Sequence, residues 1–333
     1  MKAVVMTRPG TPEVLETVEL PRPEIRGERD LLIRVRAAGV NPVDTKLRAR
    51  GTYLPQESPA ILGCDGAGVV EAVGGNVRRF APGDEVWWFN GGIGGPHGNY
   101  AEYVVVEEPF VAPKPRSLSF EEAAGGPLVL ITAWESLYDR ARLGPRDTVL
   151  IHAGAGGVGH VAVQLAAHTG SRVLTTVGSA EKADFVRGLG AHEAILYRER
   201  DFVEAVRELT EGRGADLALD TVGGETMLRT AGALRLYGHL VTLLEPPAEA
   251  SWKEARIRNL SISLELMLTP LLWQEREARA HQTWILEECT RLADRGKLKI
   301  HVGHTLPLER APEAHRLIEA GGMTGKAVLT LDG

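Results

Sequence analysis

The run from Thr148 to Gly178, TVLIHAGAGGVGHVAVQLAAHTGSRVLTTVG, decides the architecture of this chain. TVLIHA is short, apolar and β-branched, as a buried strand requires. VGHVAVQLAAHTG has the length and composition of a helix and ends on Gly170, the residue type that most readily closes a helix. RVLTTVG reads as a second strand. Between the first strand and the helix stand Gly154, Gly156 and Gly159, spaced G-x-G-x-x-G, with Gly157 and Val158 inside the motif. The first glycine permits a tight turn, the second lets the backbone approach a pyrophosphate, and the third packs helix closely on strand. The helix that opens there offers free N–H groups and a positive dipole end to phosphates. This context makes the motif a dinucleotide-binding signal and more than a glycine-rich turn.

The alternation continues downstream. AEKADFVRGLG, FVEAVRELTEG and ETMLRTAGAL read as helices, the first two ending near Gly190 and Gly212; EAILY, ADLALDTVG, YGHLVTLL and LSISLEL read as strands. Strands alternating with helices predict a doubly wound parallel sheet with helices on both faces, a Rossmann arrangement. Upstream the pattern differs. MKAVVMT, LLIRVRAAGV, DGAGVVEAV and APGDEVWWF are Val-rich runs broken by Gly and by Pro21, Pro23, Pro42, Pro55, Pro59 and Pro82. They read as strands of a small barrel or curled sheet, with little helix. Ser119 and Glu122, three apart, form the capping-box signature where helices begin. After Pro270 a long amphipathic helix, QEREARAHQTWILEECTRLADRG, leads to a strand, a helix and a strand, which are expected to complete the N-terminal β part.

Composition excludes several classes. At 333 residues, two domains are the expectation. Acidic residues outnumber basic ones 44 to 38, for a net charge of -6, so nothing draws the whole chain to nucleic acid or anionic lipid. No apolar run approaches the roughly 20 residues of a membrane span, and MKAVVMTRPGTPE turns polar too soon for a secretory signal. Cys64 and Cys289 are the only cysteines, too few for a disulfide framework or a Cys-rich zinc module. The expected location is the cytoplasm. No G-x-S-x-G marks a serine nucleophile.

The cofactor's type is read about 20 residues beyond the glycine loop, where an acid would hold the ribose 2′-OH of NAD. Here the stretch is TTVGSAEKADF, with Gly178 and Ser179 at the deciding positions and no carboxylate at the strand end. Ser179 can bond a phosphate and Lys182 can set a cation beside it. The expected cofactor is NADPH.

The segments AAGVNPVDTKLRARGTYLPQESPAILGCDGAGVVEAVG, FAPGDEVW, GNYAEYVVV and FEEAAGGPLVLITAW, followed by the glycine loop, resemble the medium-chain dehydrogenase/reductase superfamily. They are most similar to its zinc-free branch, the quinone oxidoreductases of zeta-crystallin type and related enoyl reductases. The resemblance implies a β-rich GroES-like substrate domain at 1–121 and 297–333, interrupted by a Rossmann dinucleotide-binding domain at 122–296, with the active site in the cleft between them. It implies a homodimer, in some members a tetramer, often paired through the last Rossmann strand, here about LSISLEL.

Site residues follow from the same resemblance. Asn41 and Asp44 match an N-x-x-D near the nicotinamide and substrate, and Tyr53 matches a tyrosine that donates a proton or positions the nicotinamide. A phenol can do this by hydrogen bond while staying neutral. Thr132 matches a cofactor contact, Tyr197 a tyrosine beside the 2′-phosphate with Ser179 and Lys182, and Lys326 a basic residue near the cofactor. In the zinc-dependent alcohol dehydrogenases of the superfamily, a Cys stands at the place of Asn41, a His at that of Cys64, and a further Cys near Leu128. A catalytic zinc needs about three protein ligands, and Asn41 with Leu128 does not supply them, so no metal is expected and Cys64 reads as a small buried residue. Without a Lewis acid, hydride must go to an acceptor that is already electrophilic, a quinone or an α,β-unsaturated carbonyl. Trp87, Trp88 and Phe89 are candidates for an apolar pocket, Gly91–Gly95 for a mobile loop near the substrate, and His97 for a solvated surface group. Two alternatives stand beside this reading: a zinc-type alcohol dehydrogenase, and an NADPH-binding protein with a structural or nucleic-acid-binding role.

Overall fold

The chain opens with Lys2–Met6 (β1) and Leu15–Glu19 (β2), an antiparallel pair. Asp30–Val40 (β3), at 11 residues, organises the main N-terminal sheet. It leads into Pro42–Arg50 (α1), a helix in a region where the sequence reading expected little helix. The signal for α1 is local: Asn41 is its N-cap, Pro42 its first residue, and Asp44 Oδ2 accepts from Asn41 N at 2.8 Å. Ala60–Ile61 (β4) adds to β1. Asp65–Val73 (β5), Glu85–Phe89 (β6), Tyr103–Glu107 (β7) and Ala112–Pro113 (β8) then extend the sheet around β3. Phe120–Ala124 (α2) starts at Ser119, whose Oγ accepts from Glu122 N while Glu122 Oε2 accepts from Ser119 N, the expected capping box. Pro127–Trp134 (α3) follows.

The middle of the chain is a run of alternating strands and helices. In order these are Thr148–Ile151 (β9), Gly157–Thr169 (α4), Arg172–Val177 (β10), Ala180–Gly188 (α5), Glu193–Leu196 (β11) and Phe202–Leu209 (α6). Then come Ala215–Asp220 (β12), Gly224–Ala233 (α7), Leu234–Thr242 (β13), Lys253–Ile257 (α8) and Ser261–Leu264 (β14). The six strands are all parallel, in the order β11-β10-β9-β12-β13-β14. Every residue of β9 and β12 is buried, including Asp216 and Asp220 of β12, as strands covered on both faces are. Leu150, Leu174, Ala218 and Leu240 from the sheet pack with Phe202, Val206 and Met227 from the helices. The strand order reverses between β9 and β12, and the glycine loop springs from β9 at that switch point, where open α/β sheets bind ligands.

The last segment returns to the first sheet. Thr269–Leu272 (α9) and Arg276–Asp294 (α10) precede Val302–Pro307 (β15), Ala311–Ala320 (α11) and Lys326–Thr330 (β16). β16 pairs antiparallel with the end of β3, Ala327 opposite Val40, while β7 pairs with the beginning of β3 on the same side. α10 buries Gln282, Thr283, Ile285, Leu286, Cys289 and Ala293, a stripe at helical spacing, and packs on β6 and β8.

The computed structural model describes residues 1–55 and 59–331. The chain divides into two units, Met1–Ile131 with Leu268–Gly333, and Thr132–Met267. α10 thus goes with the first unit, whereas the sequence reading placed everything up to 296 in the second. Among the described residues, no helix is long and apolar enough to cross a membrane.

Candidate cofactor and active site

The glycine loop has the shape its spacing predicts. A Cβ on Gly154 would overlap Thr175 Oγ1, and one on Gly159 would overlap the carbonyl of Ala153, so packing demands both glycines. A Cβ on Gly156 would meet only Ala153 O, at 3.2 Å. That single tight contact crowds a Cβ less than the overlaps at Gly154 and Gly159 do, and a bare Cα is what close approach of a pyrophosphate requires. Gly156 is the N-cap of α4, and the first intrahelical bond is His160 N to Gly156 O at 3.0 Å. The amides of Gly157, Val158 and Gly159 come before it, at the positive end of the helix. These residues fit a dinucleotide.

The residues expected at the 2′-phosphate, Ser179, Lys182 and Tyr197, all lie in the same unit. Ser179 caps α5, its Oγ accepting from Lys182 N at 3.4 Å. Tyr197 follows β11 and is 50% exposed, and its hydroxyl lies over Gly178, 3.1 Å from where a Cβ would stand. Gly178 thus leaves Ser179 and the Tyr197 phenol on one surface, with Lys182 on the first turn of α5. The residues directly following β10 are Gly178, Ser179 and Ala180, with no acid at the strand end; Glu181 and Lys182 follow on the first turn of α5. Arg198, which the sequence reading did not select, sits with its guanidinium 6.0 Å from the Tyr197 ring centre. Asp220 was also missed. It is buried at the end of β12 and accepts from Val222 N, Gly223 N and the Thr242 hydroxyl, fixing the turn into α7.

In the first unit, Asn41, Asp44 and Lys326 meet in a buried polar cluster. Asn41 Nδ2 donates to Asp65 Oδ2 at 2.9 Å, and Asp65 Oδ1 accepts from Leu128 N at 2.8 Å. Lys326 Nζ donates to Asn41 Oδ1 and to Val40 O, the latter at 3.1 Å. Asp44 faces the Tyr100 hydroxyl at 3.3 Å and the Cys64 thiol at 3.8 Å, and Tyr100 meets His315 Nε2 at 3.2 Å. All of these side chains are 3% exposed or less. Burial pushes the carboxyl of Asp44 up to about 7 and that of Asp65 up to about 6, against the pull of Lys326. It pushes the Lys326 ammonium down and the Cys64 thiol well up, so Cys64 is no thiolate. Tyr100 and His315 carried no signal in the sequence, because they reach the cluster from distant segments.

Three expectations change here. Lys326 spends its ammonium inside the first unit on Val40 and Asn41, so it is not placed as a direct cofactor contact. Trp87, Trp88 and Phe89 are all buried because β6 is covered on both faces; Trp88 Nε1 donates to Asn99 Oδ1. Phe89 alone lines a cavity, about 10 Å³ and of the order of one water molecule, with Phe110, Ile131 and Leu286. Gly91 to Gly94 are buried and hydrogen-bonded through Leu54 N to Ile93 O and Gly92 N to Pro96 O, a packed loop rather than a mobile one.

Tyr53 is 55% exposed, beyond the end of α1 and outside the buried cluster. Thr132 is buried in α3, and His97 is exposed. At the three places where a zinc site would stand, Asn41 is used at both ends, Cys64 is a buried thiol, and Leu128 offers a backbone N–H. Among the described residues, no three His, Cys, Asp or Glu side chains gather as metal ligands do.

Comparison with known proteins places the chain in a family. The family model for the alcohol dehydrogenase GroES-like domain matches residues 27–116, and that for zinc-binding dehydrogenase matches 189–329. Quinone oxidoreductase 1 of Escherichia coli (strain K12) is 32% identical over 322 residues, covering 96% of each chain. A 2-haloacrylate reductase of a Burkholderia species is 34% identical, covering 98% of each. The crystal structure of Escherichia coli quinone oxidoreductase complexed with NADPH superposes with a TM-score of 0.87 at 29% identity, covering 99% of this chain and 100% of that one. The chain is an oxidoreductase of the medium-chain dehydrogenase/reductase superfamily and belongs with its quinone oxidoreductases.

Proposed function

We propose that this chain is an NADPH-dependent reductase that delivers hydride, without a metal, to a quinone or an α,β-unsaturated carbonyl. One observation carries the metal-free part: the Lys326 ammonium bonds Asn41 Oδ1 at the place where zinc relatives hold a ligand. An ammonium beside that position repels a divalent cation, and the Asn41 amide oxygen is already engaged by it. NADPH when bound supplies the hydride. The amides of Gly157, Val158 and Gly159 hold its pyrophosphate, and Ser179, Lys182 and Tyr197 hold its 2′-phosphate. Thr132 serves the nicotinamide end. Tyr53 donates a hydrogen bond to the acceptor's oxygen, stabilising the charge that hydride transfer places there. Asn41 and Asp44, buried and fixed by Asp65, Lys326 and Tyr100, act from behind the acceptor by holding the start of α1 in place.

The acceptor is electrophilic without help from a Lewis acid. A quinone is the first choice from the names of the relatives, and an activated alkene the second, because one relative is named as a reductase of 2-haloacrylate. We also propose a homodimer paired through β14. This strand ends the parallel sheet, and Ile262, Leu264 and Leu266 on and beside it are 36%, 61% and 50% exposed, an unprotected apolar edge. Two buried, unpaired cysteines agree with the cytoplasm as its location.

NADPH oxidation by EDTA-dialysed protein, with an electron-poor quinone and 2-chloroacrylate in parallel, tests the reading. Turnover unchanged by dialysis supports a metal-free reductase, and the faster acceptor names the class. Saturable NADPH binding without turnover of either acceptor defeats it. Zinc at one equivalent per chain, with activity lost on dialysis, favours the alcohol dehydrogenase alternative.

A further inference from the structure

His152 and Ala153 join β9 to the glycine loop, and the G-x-G-x-x-G motif assigns neither a role. Ala153 holds φ at 51°, in the left-handed region that a residue with a Cβ avoids. Three contacts converge on its peptide groups. Its N–H donates to Thr176 Oγ1 at 3.1 Å, and its carbonyl accepts from Gly156 N at 2.8 Å. That same carbonyl occupies the space a side chain on Gly159 would need. The conformation of Ala153 therefore sets where Gly156 and the first turn of α4 stand.

Behind Ala153 runs a buried chain of hydrogen bonds. Thr176 Oγ1 meets His152 Nδ1 at 3.1 Å, and His152 Nε2 meets Thr230 Oγ1, on α7, at 2.9 Å. Counting hydrogens fixes every donor. The Thr230 hydroxyl gives its hydrogen to Thr226 O at 2.7 Å, so towards His152 it accepts, and Nε2 carries the imidazole hydrogen. Nδ1 is then a bare acceptor and takes the Thr176 hydroxyl, whose oxygen accepts the Ala153 N–H. Donation runs in one direction throughout, from Ala153 to Thr176, to His152, to Thr230 and on to Thr226 O, with no group left over. His152 is 1% exposed and edge-on to Phe202, ring centres 4.8 Å apart. Burial lowers it to about 4, with Asp220 opposing, so the neutral ring that the chain requires is the one present.

We propose that His152 and Thr176 are positioning residues for the cofactor: anchored on Thr230, they clamp Ala153 in its left-handed conformation and so preset the glycine loop for the pyrophosphate. The proposal rests on the reading that this loop takes NADPH. A general core role predicts lost stability with unchanged affinity per folded molecule; the clamp predicts lost affinity that a change at Ala153 restores.

The experiment measures the NADPH dissociation constant by titration calorimetry, with melting temperature alongside, for wild type, Thr176→Val, Thr176→Ser, and Thr176→Val combined with Ala153→Gly. Thr176→Val should weaken NADPH about tenfold, the equivalent of one buried hydrogen bond. Thr176→Ser keeps the oxygen and should stay within about twofold of wild type. The double variant should regain most of the affinity, because glycine takes φ near 51° without steric cost. Wild-type affinity in Thr176→Val overturns the clamp, and so does a loss that Ala153→Gly does not recover. Should Thr176→Val fail to fold, Thr230→Val cuts the chain one link earlier and is read in the same way. Failure of the wild type to bind NADPH overturns the cofactor reading instead.

Discussion

The ammonium of Lys326 is bonded to the amide oxygen of Asn41 in a site where neither side chain reaches solvent. This contact joins the start of β16 to the N-cap of α1, 285 residues apart in sequence. It also places a cation beside Asp44 and Asp65, whose negative charge burial would otherwise penalise.

Lys326→Met should therefore destabilise the fold by about 1.5–3 kcal/mol at pH 8, the range for a hydrogen bond to a charged group. The loss stays below that of a broken buried ion pair, because the two carboxyls can take up protons instead. At pH 5 those protons are already present, and the loss should shrink. Urea unfolding at the two pH values checks this; a loss of equal size at both contradicts it.

The same cluster gives stability a pH slope. A carboxyl whose folded pKa lies above its unfolded value holds a proton in the native state that the unfolded chain has released. Its stabilisation is complete below about pH 4 and is lost as pH rises through 6 to 7 for Asp65 and Asp44. Asp44→Asn keeps an oxygen to accept from Asn41 N and removes the titration. Relative to this variant, the wild type should lose up to about 1.4 kcal/mol per pH unit between pH 4 and 7. Parallel slopes for the two proteins would show that Asp44 ionises normally.

Lys182 and Ser179 are expected to discriminate between cofactors. Lys182→Ala should weaken NADPH about tenfold and leave NADH unchanged, since only the former carries the 2′-phosphate. Ser179→Asp should reverse the preference by repelling the phosphate and accepting from a ribose hydroxyl. Steady-state kinetics with both nucleotides decide the matter, and an equal effect on both would remove these residues from the phosphate site.

Tyr53 is exposed enough to meet an acceptor, and only its hydroxyl is asked to act. Tyr53→Phe should lower kcat on the order of 10²-fold, the lower range for a lost proton donor, while NADPH affinity holds. A change in KM alone would make Tyr53 a binding residue.

Short-range features of this protein were legible along the chain. The glycine loop, the Ser119–Glu122 box, the closure of α4 at Gly170 and the alternation from β9 to β14 depend on spacings of a few residues. Backbone sterics and helix-end hydrogen bonding act over that distance, so sequence states them directly. α1 was legible in principle, in Asn41, Pro42 and Asp44, but the surrounding strands and prolines obscured it.

Whether a polar side chain turns inward, and what meets it there, was decided only by the tertiary structure. Asn41, Asp65, Tyr100, His315 and Lys326 come from five separate segments, and pairing of β3 with β5 and β16 brings three of them together. The same holds for Thr176 and Thr230 around His152, which sit on different elements of the parallel sheet unit. A buried charge or imidazole is tolerable only when its partners arrive with it, and those partners are chosen by strand register and helix packing, not by neighbours in sequence. The chain alone thus pointed to where a dinucleotide would lie; the fold decided which buried polar groups meet and which protons they keep.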